Sequence, residues 1–291
     1  MRIKLKPSLG RMAAVAVAAV LATAGGAHAQ ANDCDWPPTW SEVAARETVN
    51  LYALDFAPFG RAEHGWAVYA AAASRELDTP CAPGAPGFAV ALAAWQTAHG
   101  LIGTGVMDAP TFDSFRLAWQ ARRPFLALRA ADLCPDPPPE SALELATPEE
   151  TAGKPVMLRK AALAAYRRMV EAARADVPDL AADPELLRIF SAFRAPAYDA
   201  ARCATEGNCD GVARATCSAH RTGLAIDLMV GAAPGGTVDG SDDANRLFQS
   251  RGATYRWLLA NAARFGFVNY AFEPWHWEWT GEPVVPLTFQ N

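Results

Sequence analysis

Apolar positions recur at helical spacing in two early stretches, residues 65–77 (GWAVYAAAASREL) and 88–99 (FAVALAAWQTAH), the second stopped by Gly100. Pro110 opens a third helical pattern, PTFDSFRLAWQARR, at a first-turn position where proline costs no hydrogen bond. Residues 158–175 (LRKAALAAYRRMVEAARA) read as a longer amphipathic helix with basic residues on one side. Residues 186–193 (LLRIFSAF) then read as a strand. In the later run CSAHRTGLAIDLMV, Leu224, Ile226 and Leu228 alternate as a strand requires. Residues 242–265 are mainly helical and stop at Gly266. The final pattern, FVNYAFEPWHWEWTG, sets Trp275, Trp277 and Trp279 on one face and His276 and Glu278 on the other. Helices and strands that mix without a βαβ rhythm predict an α+β domain around a small antiparallel sheet, preceded by a bundle of three short helices.

A break divides the pattern. Residues 134–150, CPDPPPESALELATPEE, hold five prolines and five acidic residues and predict a semi-rigid linker. The expected organisation is a leader at 1–29, a helical domain at 30–134, a linker at 135–150 and a second domain at 151–291. Arg2, Lys4, Lys6 and Arg11 precede an apolar stretch at 12–24, and Ala27-His28-Ala29 offers small residues for cleavage after Ala29. That is the pattern of a secretory signal peptide, so the chain is expected to be exported, to the periplasm or beyond the cell, with no membrane span after cleavage.

The chain has 291 residues, 51% of them hydrophobic, and a formal net charge of -5. Removing the leader takes away four basic residues and no acidic one. No Lys/Arg-rich run offers a basic face, which excludes nucleic acid and anionic bilayers as expected partners. Cys34, Cys81, Cys134, Cys203, Cys209 and Cys217 make an even set, which in an exported chain predicts disulfides among fifteen possible connectivities. The spacing of Cys203, Cys209 and Cys217 fits no CxxC metal pair.

The stretch AWQTAHGLIGTGVMDAPTFDSF carries Trp95-Gln96, then His99-Gly100-Leu101, a Gly-rich loop from Gly103 to Val106, and Pro110-Thr111. Over about residues 60–120 it resembles the peptidoglycan-binding domain of the three-helix type, which implies a module that holds the polymer.

Two stretches in the second domain concentrate chemistry. In SAHRTGLAID, His220 precedes a Thr222-Gly223 turn, and Ala225 and Asp227 share a strand face. In EPWH, Pro274 bars a regular ladder, so Glu273 and His276 can converge only where the backbone departs from a strand. Two imidazoles and a carboxylate suit Zn²⁺ with an open position, and a further carboxylate can take a proton from bound water. His220, Asp227 and His276 are the candidate ligands, one zinc per chain. Glu273 is the candidate base, and Glu278, on the face of His276, is its rival.

SAHRTGLAID matches S-x-H-x-x-G-x-A-x-D, and EPWHWEW matches E-x-W-H, the motifs of the VanY-type zinc D-alanyl-D-alanine carboxypeptidases. SAFR is similar to their S-G-Y-R segment, and the resemblance spans most of residues 155–282. It implies a zinc site at His220, Asp227 and His276, Glu273 as catalytic base, and Arg194 as the arginine that engages substrate and the developing oxyanion. Ser218 and Trp275 are candidate substrate contacts beside Arg194, although Trp275 and Trp277 suit core packing equally. The implied substrates are peptidoglycan stem peptides. Departures are Phe193 for Tyr, Arg221 where Gln is common, and the insertion between Cys203 and Cys217.

Overall fold

The computed structural model describes residues 33–126, 136–206 and 218–281. The predicted leader, Cys134, Cys209 and Cys217 lie outside the described residues.

The N-terminal part contains more than the three helices that the pattern shows. Helix α1 (Ser41–Ala53) comes first, followed by a short antiparallel pair, β1 (Asp55–Phe56) and β2 (Glu63–His64). Helix α1 buries only Ala44, Glu47 and Leu51, too sparse a stripe to stand out in the sequence. Helices α2 (Ala70–Glu76), α3 (Pro86–Ala98) and α4 (Ala109–Gln120) fall where the apolar spacing puts them. Asp108 caps α4, accepting from the Thr111 N–H at 2.9 Å. Trp66, Tyr69, Phe88, Leu92, Met107, Phe112 and Phe115 fill the core. Gln96 is fully buried and knits the Gly-rich loop to the bundle. Its amide donates to Thr111 Oγ1 at 2.9 Å and Val106 O at 3.1 Å, and its carbonyl accepts from Gly105 N–H at 2.8 Å. A Cys34–Cys81 disulfide ties the start of this region to the loop before α3, and Cys203 is disulfide-bonded as well.

The Pro-rich stretch differs from the linker expected of it. Its second half forms β3 (Leu143–Leu145), antiparallel to β4 (Met157–Arg159), and buries Leu143 and Ala146. Prolines 137–139 precede this strand and leave its Leu-Glu-Leu alternation free to pair. Helix α5 (Lys160–Asp176) follows directly, burying Leu163, Tyr166, Met169, Val170 and Ala173 along one stripe, and α6 (Pro178–Ala182) closes beneath it. Then come β5 (Ile189–Ser191), α7 (Pro196–Glu206), β6 (Ala225–Leu228), α8 (Asp243–Arg251), α9 (Ala253–Asn261), β7 (Phe267–Asn269) and β8 (His276–Trp279). The last four strands make one antiparallel sheet in the order β5-β6-β8-β7, so the class is α+β. Gly266 ends the helical run at φ +84°, a left-handed turn that glycine takes without strain. Trp275 and Trp277 are 3% and 2% exposed and sit in the core beside Leu258 and Phe267. Trp275 thus takes the core packing that its place on the strand also suits.

The helical part lies directly against the C-terminal sheet. Phe59 packs 5.6 Å, centroid to centroid, from both Tyr270 and Phe272, and Ala271 joins the bundle core. Among the described residues, two buried ion pairs cross the junction: Arg246 with Glu63 at 2.8 Å and Arg123 with Glu278 at 2.6 Å. Among the described residues, no helix is long and apolar enough to cross a membrane.

Candidate metal centre

Strand pairing creates the site. Asp227 in β6 stands directly opposite His276 in β8, so their side chains leave the sheet on the same face. His220 arrives from a different direction, on a 3-10 turn (Ala219–Thr222) that ends at Gly223 with φ +70°. A Cβ at Gly223 would lie 3.2–3.3 Å from Leu143, Arg159 and Pro138 side chains, so both the backbone conformation and the space favour glycine.

Among the described residues, His220, Asp227 and His276 each offer a donor atom within 4.8 Å of the others, all three residues buried. Asp227 spans the imidazoles, with Oδ2 3.2 Å from His220 Nε2 and Oδ1 2.9 Å from His276 Nδ1. His220 Nδ1 lies 2.7 Å from the Ala192 carbonyl, a contact in which Nδ1 donates and Nε2 is left with its lone pair facing the centre. The remaining nitrogen of His276, Nε2, lies 3.4 Å from Glu278 Oε1. Two imidazoles turned inward by partners on their outer nitrogens, plus one carboxylate, form a donor set that fits zinc.

Glu273 reaches this cluster because the chain leaves the strand. Its N–H donates to Tyr270 O at 2.8 Å and its carbonyl accepts from His276 N–H at 3.0 Å, a turn that opens just before β8. Glu273 Oε2 ends 3.9 Å from His276 Nδ1. Arg194 is tied to the same place by its backbone N–H, which donates to His220 O at 3.3 Å. Its Nε lies 3.2 Å from Asp199 Oδ1, and Ser218 Oγ donates to Asp199 Oδ2 at 2.8 Å. Asp199, on α7, thus holds both polar groups beside the cluster, and nothing in the sequence around it announced that role. Ser218, Arg194, Glu273 and the three candidate ligands are brought together.

Glu278 differs from its expected place as rival base. Oε1 accepts from Arg123 Nε and Nη2 at 2.8 and 2.6 Å, and Oε2 accepts from the Phe125 N–H at 3.1 Å. Both oxygens are engaged, which leaves Glu273 as the carboxylate with 19% side-chain exposure beside the cluster. His64 pairs with exposed Asp55, and His99 stacks on Trp95, both in the helical part.

The electrostatics follow from burial and these contacts. Burial alone would push Asp227 up, yet the flanking imidazoles, His220 foremost, hold it well below the usual carboxylate range. Burial, reinforced by Arg194, lowers His220. Burial also opposes charge on His276, but hydrogen bonds to Asp227 and Glu278 outweigh it and lift the group to about 9. The proton on Nδ1 is then the one a bound cation would displace. Burial raises Glu273 above the ordinary glutamate value, whereas Arg123 overcomes burial to bring Glu278 down to about 2. Burial lowers Arg194.

Fold and donor set together define, among the described residues, an α+β domain built around a candidate metal centre. Residues 155–282 match the family model described as VanY, D-alanyl-D-alanine carboxypeptidase. The match takes in every residue of the cluster and leaves the helical part and β3 outside. A solved structure of the LdcB LD-carboxypeptidase, described as revealing the molecular basis of peptidoglycan recognition, is 22% identical. It covers 50% of this chain and 70% of that chain, with a TM-score of 0.37. No curated protein matches the chain.

Proposed function

We propose that this chain is an exported, zinc-dependent peptidase that trims peptidoglycan stem peptides as a D-Ala-D-Ala-type carboxypeptidase. The helical part would hold it to the polymer. The observation that carries this reading is the convergence of His220, Asp227 and His276 within 4.8 Å, inside the segment that matches the VanY family. Zinc held by these three residues would supply a Lewis acid and bring the pKa of a bound water to about 7.

The chain's own residues do the rest. Glu273, raised by burial, takes the proton of the attacking water and returns it to the leaving amine. Arg194 directs its guanidinium at the oxygen of the scissile carbonyl as negative charge develops there, and Asp199 keeps that guanidinium in place. Losing such a donor costs about 3–4 kcal/mol of transition-state stabilisation. Ser218, fixed by the same Asp199, lines the approach.

Mass analysis of products from defined tetrapeptide and pentapeptide muropeptides tests the proposal. Release of one terminal D-alanine from the pentapeptide is the expected result. Cleavage inside a stem or cross-link would replace it with an endopeptidase, and zinc binding without any product would leave a silent wall-binding protein. Glu273→Gln should keep zinc and lose turnover, and unchanged turnover would remove Glu273 from the mechanism.

A further inference from the structure

Three donors converge on Glu278 from outside the C-terminal domain's sheet. Arg123 Nε and Nη2 both reach Oε1, and the Phe125 N–H reaches Oε2. Both residues sit just past the end of α4, the last helix of the N-terminal bundle, 155 and 153 positions earlier in the chain. Arg123 is itself held on two further sides. Its Nη1 donates to Gln120 Oε1 at 2.9 Å, and its guanidinium lies 4.1 Å above the centre of the Tyr270 ring. Tyr270 in turn donates its backbone N–H to His276 O at 3.0 Å. Phe125 packs with Ala219, next to His220, and with Ala225, the first residue of the strand that carries Asp227.

On the other side, Glu278 Oε1 lies 3.4 Å from His276 Nε2, the nitrogen turned away from Asp227. A carboxylate that accepts from the outer nitrogen of a ligand histidine fixes which nitrogen carries hydrogen and how the ring is turned. Here the carboxylate is a spare side chain on β8, and its own orientation is set by the bundle.

We propose that Arg123 is a positioning residue for the metal centre. It aims Glu278 at His276 Nε2, so that the ring presents Nδ1 to the cation, and the N-terminal bundle thereby forms the outer layer of the site. The inference rests on the zinc reading above. The second buried pair across the junction, Arg246 with Glu63, supplies an internal comparison, because it bonds no candidate ligand.

The experiment measures zinc affinity of the full chain by competition with a chromophoric chelator, together with the visible spectrum of the Co²⁺-substituted protein. The variants are Arg123→Met, Arg123→Lys, Glu278→Gln, the double Arg123→Met/Glu278→Gln, and Glu63→Gln. Arg123→Met and Glu278→Gln should each weaken zinc binding about 10–100-fold and shift the Co²⁺ bands. The double variant should be no worse than the weaker-binding single one, because Arg123 acts through Glu278. Glu63→Gln should lower thermal stability and leave zinc affinity and the Co²⁺ spectrum as in the wild type. If Arg123→Met does not fold, Arg123→Lys and Glu278→Gln carry the test, since both keep polar groups at the junction. Zinc affinity within twofold of wild type in the folded variants would overturn the proposal. So would an equal loss in Glu63→Gln, which would mean that any loosening of the junction suffices. Absence of zinc binding by the wild-type chain would overturn the metal reading itself, a result distinct from either.

Discussion

Replacing Glu63 by leucine should be among the most damaging single changes outside the metal cluster. Glu63 and Arg246 have side chains 3% and 1% exposed and meet at 2.8 Å, with the Tyr69 hydroxyl bonded to both carboxylate oxygens. Arg246 Nη2 also donates to that hydroxyl at 2.8 Å. Burial pushes the Glu63 carboxyl up even against the pull of Arg246, so desolvation outweighs the attraction within the pair. Such a pair adds little net stability, but deleting one member strands the other charge, at a cost of about 3–5 kcal/mol. The other carboxylate near Arg246 is Asp243, 3.5 Å away and 58% exposed, a poor substitute. Glu63→Leu should therefore lower the melting temperature by about 6–20 °C. In the double variant Glu63→Leu/Arg246→Met, no charge remains to be stranded, and most of the loss should return. Urea unfolding followed by tryptophan fluorescence reads both variants. A single-variant cost under about 1 kcal/mol would refute the reasoning, as would a double variant no more stable than the single.

Two further outcomes follow from the bundle. Glu47 is fully buried, and burial raises it to about 8 although the Met107 N–H donates to Oε2 at 2.6 Å. Its folded value lies above its unfolded value, so the folded state holds the extra proton, and stability should fall as pH rises from about 4.5 through about 8. Glu47→Gln should flatten that fall, and urea midpoints from pH 5 to 9 with an unchanged slope would contradict the assignment. The Cys34–Cys81 bridge closes a loop with a sequence separation of 47, which in the chain-entropy account stabilises by about 4 kcal/mol. Cys34→Ser/Cys81→Ser should lose most of that in the same assay, and no measurable loss would show that the unfolded chain is not constrained by the link.

Local chemistry was readable in the sequence where it was packed into short stretches. His220 and Asp227 lie within one turn-strand unit, and Glu273 and His276 within one kinked turn, so spacing alone brought each pair into view. The apolar stripe of α5 was equally plain, because its period persists through 17 residues. Strand β3 was hidden by neighbouring prolines that dominate the composition of its surroundings without entering the ladder. Helix α1 was hidden by its thin apolar face. Asp199 and Arg123 were invisible for a different reason. Each is an ordinary charged residue on or after a helix, and its partner is chosen by tertiary packing, across 155 positions in the case of Arg123 and Glu278. Trp275, an aromatic residue beside a histidine, suits a cleft and a core equally in the sequence, and its ring lies in the core.

Asp227 and His276 are 49 positions apart yet face each other as rungs of one ladder. The loops that join β6 to the two helices and the helices to one another can lengthen or shrink through evolution without moving either donor, provided the rungs stay matched. An insertion of a single residue inside β6 or β8 would instead send one of the two to the opposite side of the sheet. The site is therefore tolerant of large changes in those distant loops and intolerant of the smallest change in its strands or in the turn that carries Glu273. It comes into being only when that pairing has closed.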